Sequence, residues 1–512
     1  MQRTRGGRIR AIGLVTVAVL FGGSCTDSGR SFQPRFETVP CPEDVSFVIL
    51  SEHTCGYLTV LEDRSEIEGR TIRLFAVRVQ PPGGNAPPDP MFHAGAELAL
   101  TPGYSGIAPL AQRVHREVIM LDQRGTGHSE PSLACPEVRA IAEPLLGAGL
   151  LDQGGRSDLR SAAASCLDRL KQEGIDPSAY TIEAAAADAE DLRKALGIDR
   201  WNIHVIGSAS RIVFELIRRS PASIRSVAMD SPQFPQVDEV TAAPGDLRES
   251  LRRLFATCAE DSDCDRAYPA LATDFDEAVE RLDAEPVTVR ATAGATGDDL
   301  DQPVDMVVDG AAFVRSLRVM VSDTDYQAAG GIPQTIHAAL HGDVEQAAGF
   351  LAEDPAACVA YVYSCERYAF SEGTYYSFLC GDEVPFVDPS RLEATAGNNP
   401  GIVDAYGRSP LLDICDVWSV GETDPEANEP ITLDVPTLIF YGDYDAYTSP
   451  SLVEEAGESR STTFSVRFPF NGHNLFALEC PRSFRNAWVD EPTVPPDTSC
   501  IDDMPAPVFT VP

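Results

Sequence analysis

Residues 201–211 read WNIHVIGSASR. The first six are rich in aromatic and β-branched residues, which favour an extended chain. Beyond the short Gly-Ser turn, Ile212, Val213, Leu216 and Ile217 fall on one face of a helix. The spacing therefore predicts a buried strand that turns directly into a helix. From Met91 to Asp230 the same alternation recurs: REVIMLDQRG at 116–125, AAAADAEDLRKALGI at 184–198, SRIVFELIRRSP at 210–221 and IRSVAMDSP at 224–232. Short β-rich runs separated by amphipathic stretches imply a mostly parallel sheet with crossover helices on both faces. Upstream, Tyr57 to Gln80 reads as two strands around a turn at Glu66 to Gly69, with TIRLFAVRV alternating apolar and polar residues.

The chain of 512 residues is longer than one ordinary domain, so a large core with an inserted or appended unit is expected. Hydrophobic residues make up 43% and charged residues 23%, which excludes a disordered chain and a multi-span membrane protein. The net charge of −38 makes nucleic acid an improbable partner and favours solubility. Between about Asp238 and Pro430 the strand-helix rhythm stops and helices dominate, interrupted by the Gly/Asp-rich ATAGATGDDLDQP. Strand patterns resume at VPTLIFYGDYD and TFSVRFPFNGH, so residues 238–430 read as a helical cap inserted into a core formed by 41–237 and 431–512.

Four arginines and no acid occupy the first ten residues, and an apolar run from Ala11 to Gly23 follows. That is the pattern of an export signal spanning 1–24. The run is shorter than the roughly 20 residues a membrane helix needs. Small residues directly before Cys25 resemble a bacterial lipobox, although Gly22 stands where that motif usually has leucine; ordinary signal cleavage is the alternative. Lipidation of Cys25 would leave a polar tether over 25–40 and would confine membrane contact to the lipid, on the outer face of the cell. It would also leave twelve of the thirteen cysteines, an even number suited to an oxidising compartment. Neighbour spacing suggests Cys41 with Cys55, Cys135 with Cys166, Cys258 with Cys264, Cys358 with Cys365, Cys380 with Cys415, and Cys480 with Cys500. No CxxC pair occurs, and His337, His341 and Asp343 lack a further ligand pattern, so no metal site is expected. Neither a dinucleotide fingerprint nor a P-loop follows any strand, and no organic cofactor is implied.

A strand-to-helix turn followed by a late acid and a later histidine is the chain order of an α/β-hydrolase triad. Asp445 in YGDYDAYTSP follows the strand pattern PTLIFY, where a carboxylate can orient an imidazole. His473 in FPFNGHNLF follows the next strand and is the candidate general base. The turn itself departs from the pattern, because no serine anywhere in the chain lies in a G-x-S-x-G motif.

With CGYLTVLED at 55–63, LDQRGTGHSEPSLACPE at 121–137, DLRKALGIDRWN at 191–202, SIRSVAMDSP at 223–232, VPTLIFYGDYDAYTSP at 435–450, GHNLFALECP at 472–481 and the late Cys500, the chain resembles the secreted tripeptidyl-aminopeptidase branch of the prolyl-iminopeptidase family of serine peptidases, over nearly the whole mature length. The resemblance implies an α/β-hydrolase fold and a C-terminal region of the tripeptidyl-aminopeptidase kind. It also implies that Arg124, Gly125 and Gly127 support the site. Family elbows read W-N-x-Y-G-x-S-Y-G-T-R, and Trp201, Asn202 and Arg211 align this chain to them without a gap. Gly207 then holds the nucleophile position, and the flanking glycines become Val205 and Ala209. The family's G-G-P-G oxyanion loop corresponds to HAGAELALTPG, where Gly95 remains and Ala96, Glu97 and Leu98 replace the rest; the amide of Ser208 would complete that hole. Loss of a serine nucleophile alone costs about a million-fold in turnover. The expectation is a non-catalytic exported lipoprotein that binds a peptide or protein. The alternative is an active peptidase or esterase that uses Ser208 with His473 and Asp445, and a third reading is an envelope scaffold without a ligand.

Overall fold

The computed structural model describes residues 32–48, 51–95, 98–99, 104–141, 145, 147, 153–291, 304–322, 326–353, 370–388, 390–397, 399–407, 410–457 and 462–512. Its strands are β1 (Arg35–Val39), β2 (His53–Leu61), β3 (Thr71–Val79), β4 (Met91–His93), β5 (Val118–Leu121), β6 (Trp201–Ile206), β7 (Ile224–Asp230), β8 (Val287–Ala291), β9 (Val304–Val308), β10 (Thr437–Gly442) and β11 (Thr463–Phe468). One sheet has the order β1-β2-β3-β5-β4-β6-β7-β10-β11. The β1 to β3 ribbon and its junction with β5 are antiparallel, and every later pairing is parallel.

The central parallel strands β6 and β10 are buried along their length, whereas the edge strand β11 exposes Ser465 and Arg467. Helices cover both faces of such a sheet, so its strands need no polar alternation. On one face Ile203 and Val205 join Leu192 of the helix Ile182–Ala195 and Val213, Leu216 and Ile217 of the helix Ser210–Arg219 in a single apolar cluster. Trp201 stacks on Phe92 of β4 with ring centroids 4.5 Å apart. Burying each such side chain contributes about 1.5–3 kcal/mol, and the sheet centre is accordingly rigid.

Between β7 and β10 the chain leaves the sheet and builds a helical insertion that includes Glu239–Glu260, Gly310–Ser322 and Tyr326–Ala339. Helices dominate the insertion, and one two-stranded ribbon that the sequence did not single out interrupts them. VTVRA and VDMVV pair as an antiparallel ribbon, β8 with β9. Both runs are short and rich in valine, which suits a two-stranded ribbon apart from the main sheet; the Gly/Asp-rich stretch between them lies outside the described residues. The chain end returns to this insertion, where Thr510 donates its amide to the Gly330 carbonyl at 3.1 Å and Phe509 joins the insertion's apolar core.

Five disulfides form as the spacing suggested: Cys41–Cys55, Cys135–Cys166, Cys258–Cys264, Cys380–Cys415 and Cys480–Cys500. They fit an oxidising, extracellular setting. Cys358 and Cys365 lie outside the described residues, as does Cys25. Among the described residues no helix is long and apolar enough to cross a membrane.

Candidate active site

The elbow forms where β6, gripped by parallel neighbours on both sides, runs out at Ile206. The Ile206 amide donates to the Gly95 carbonyl at 3.1 Å, so the loop after β4 is fastened beside the turn. Gly207 then adopts φ +53°, a short 3-10 turn covers Gly207–Ala209, and the helix Ser210–Arg219 begins. A residue bearing a side chain is strained at this φ, whereas glycine is not. The left-handed turn is thus present with no side chain at its apex.

The acid and base come from the far side of the sheet. Asp445 follows β10 and is fully buried; its two carboxylate oxygens accept from His473 Nδ1 at 2.9 and 3.1 Å. One oxygen also accepts the amides of Tyr447 and Thr448 at 2.8 and 2.9 Å, which fixes the carboxylate plane. His473 follows β11 and is 6% exposed. Close backbone approach holds the two loops together: a Cβ on Gly442 would lie 2.1 Å from the Asn471 carbonyl oxygen, so only glycine fits. The imidazole is thus oriented through Nδ1 by the buried carboxylate.

Ser208 lies one residue beyond the apex, and its hydroxyl accepts the Leu98 amide at 2.9 Å. Ser208 therefore ties the elbow to the loop after β4. Gly95 at φ +100° opens the loop and Ala99 at φ +64° continues it, while Ala96 and Glu97 lie outside the described residues.

Further groups near the site were not singled out from the sequence. Asp230, at the end of β7, is fully buried and accepts the amides of Leu475 and Phe476 at 3.1 and 2.7 Å, which ties the strand end to the loop carrying His473. Burial pushes its carboxyl up to about 6, although His473 and the two amides oppose the shift. The signal available was an acid directly after the apolar run Val227–Met229 at the end of a strand. Arg211, expected only as an alignment anchor, is buried and pairs with Glu383 at 3.0 Å. Gln233 bridges Glu383 and Glu239 at 3.5 and 3.3 Å. Asp246 is 6% exposed, and burial raises its carboxyl to about 8.

Arg124 has a supporting role. Its guanidinium is fully buried, holds Asp188 through two bonds of 2.8 and 2.9 Å and donates to the Glu62 and Ala179 carbonyls. Gly125 has φ +81°, and a Cβ there would meet the Thr374 hydroxyl at 2.3 Å; Gly127 has φ +52°. The rings of His337 and His341 pack edge to face at 5.1 Å. Among the described residues one cluster has metal-ligand geometry, Cys135, Glu137 and Cys166, and its two sulfurs are already joined as a disulfide.

A family profile for the alpha/beta hydrolase fold matches residues 91–291, the stretch from β4 to β8 that contains the elbow. Together with the sheet order this shows an α/β-hydrolase fold. No curated protein matches the chain. Solved structures similar to it include an alpha/beta hydrolase fold protein from Chitinophaga pinensis, at 11% identity over 85% of this chain and 97% of that one, with a TM-score of 0.36. A proline iminopeptidase of Mycobacterium smegmatis is similar at 15% identity over 82% and 96%, with a TM-score of 0.34. A bromoperoxidase from Bacillus anthracis is similar at 12% identity over 85% and 98%, with a TM-score of 0.35.

Proposed function

We propose that the protein is an exported, lipid-anchored α/β-hydrolase relative of the tripeptidyl-aminopeptidase kind that no longer hydrolyses and instead binds a peptide or protein in the old substrate cleft. The observation that carries this reading is Gly207 at φ +53°, in the nucleophile position of a correctly turned elbow, opposite a hydrogen-bonded Asp445–His473 pair. Without an attacking oxygen at the apex no acyl-enzyme forms, and the acid and base have nothing to activate. The competing hydrolase reading rests on Ser208, which lies one residue past the apex and whose oxygen accepts the Leu98 amide.

The insertion serves in this proposal as a cap over the cleft, and Arg211, Glu383, Gln233 and Glu239 supply charged and polar groups for a ligand beside the elbow. Residues 1–24 act as the export signal and Cys25 carries the lipid on the outer face of the membrane. The test is calorimetry with a library of short peptides, coupled to mass spectrometry of the peptides afterwards. Saturable binding with every peptide recovered whole is the expected result. Cleavage fragments that disappear in a Ser208→Ala variant would reverse the proposal, and heat-silent mixing across the library would favour a scaffold without a ligand.

A further inference from the structure

The acid and base sit on loops of the core sheet, yet their nearest fixed points lie elsewhere. The helix Gly310–Ser322 of the insertion ends against both loops. Its Ser322 carbonyl accepts the His473 amide at 2.7 Å, and its Ser322 hydroxyl accepts the Ala446 amide at 3.0 Å. No space separates them: a Cβ on Gly472 would lie 2.4 Å from both the carbon and the oxygen of that carbonyl. One turn earlier, Arg318 donates from Nε to the Ala446 carbonyl at 3.1 Å and lies 4.0 Å over the ring of Tyr447. The Tyr447 ring in turn packs 5.0 Å from the His473 ring. Two loops separated in sequence are thus held by one helix through three hydrogen bonds and a cation–ring–imidazole stack.

We infer that the helix Gly310–Ser322 sets the position of the Asp445–His473 pair, with Arg318 as its positioning residue. The alternative anchors for Arg318 are weaker. Its guanidinium is 3.6 Å from Glu239 and 5.8 Å from the Tyr406 ring, and Nη2 has no hydrogen-bond partner among the described residues. The bond to Ala446 and the stack on Tyr447 therefore fix the side chain, and both act on the loop between the acid and its two amide donors. A buried charge-assisted bond and a desolvated cation–π contact are each stronger than their exposed counterparts. The consequence is a coupling between insertion and core: whatever displaces this helix displaces the imidazole, because the same two amides report both events. The inference goes beyond the proposed loss of hydrolysis and holds whether or not the cleft turns anything over.

Native-state hydrogen exchange of the full-length protein, resolved to single amides, tests it. The amides of Ala446 and His473 should open together with those of residues 316–322, and more readily than those of β10 and β11. In Arg318→Met their exchange should rise about tenfold or more, the loss expected from one charged hydrogen bond. The downfield Nδ1 proton resonance of His473 should broaden, and Arg318→Lys, which restores the cation over the ring, should recover it. Should Arg318→Met fail to fold, the wild-type exchange decides alone. Amides 446 and 473 that stay protected while the helix opens, or that exchange in Arg318→Met as in wild type, would overturn the inference.

Discussion

The two sides of the candidate site differ in what they carry. On the side of β10 and β11 the carboxylate–imidazole pair is complete: buried, doubly hydrogen-bonded and fixed by the amides of Tyr447 and Thr448. On the side of β4 and β6 the left-handed turn carries a glycine at its apex, and Ser208 beside it accepts the Leu98 amide. The difference teaches that an elbow is a property of the sheet. Parallel strands on both sides of β6 and the apolar helix behind it impose the turn, and glycine occupies it without strain.

Restoring the missing half should have the largest effect. Gly207→Ser places a hydroxyl at the apex, and hydrolysis of an activated ester should rise by as much as about a million-fold, the factor that a serine nucleophile represents. A silent Gly207→Ser protein that becomes active once glycines are rebuilt at 96 and 97 would locate a second lesion in the oxyanion loop. Breaking the intact half comes next. In the Gly207→Ser background, Asp445→Asn should lower that regained ester hydrolysis about ten-thousand-fold, since the imidazole loses the partner that sets its tautomer.

Smaller effects concern how the intact half is held. Gly472→Ala puts a methyl group 2.4 Å from the Ser322 backbone, and a urea titration should show a loss of about 2–3 kcal/mol, at the upper end for overpacking. Asp246→Asn should act through pH. The folded-state carboxyl at about 8 lies above its unfolded value, so the native state holds the proton more tightly and wild-type stability falls as pH rises toward and through 8. The gain in melting temperature of Asp246→Asn over wild type should be small near pH 5, grow as pH rises to about 8 and level off above it. A constant difference across that range would mean that Asp246 is already ionised in the folded protein.

Sequence alone made the sheet legible because WNIHVI, IRSVAMD and PTLIFY are short runs rich in β-branched and other apolar residues, each bounded by a turn or a helical period. Chain order, with each residue following a strand pattern, singled out Asp445 and His473, whose side chains the structure joins by hydrogen bonds, and the five disulfides followed from cysteines close in sequence. The ribbon of β8 and β9 was missed because two five-residue strands give little periodicity inside a helical stretch. Arg318 and Ser322 were invisible for a different reason: they meet the acid and base loops across more than a hundred residues, and a helical arginine or a terminal serine carries no local sign of what it touches. Asp230 was half legible, quoted as the end of a strand but not as a cap for the histidine loop. Ala96 and Glu97, read as lesions in the oxyanion loop, lie outside the described residues.

The most direct measurement is intact-mass spectrometry of the wild-type protein after exposure to a fluorophosphonate probe, which bonds only to an activated serine oxygen. The account predicts an unmodified mass for the wild type and one stoichiometric adduct on the serine of the Gly207→Ser variant. A wild-type adduct that maps to Ser208 and vanishes in His473→Ala would contradict it.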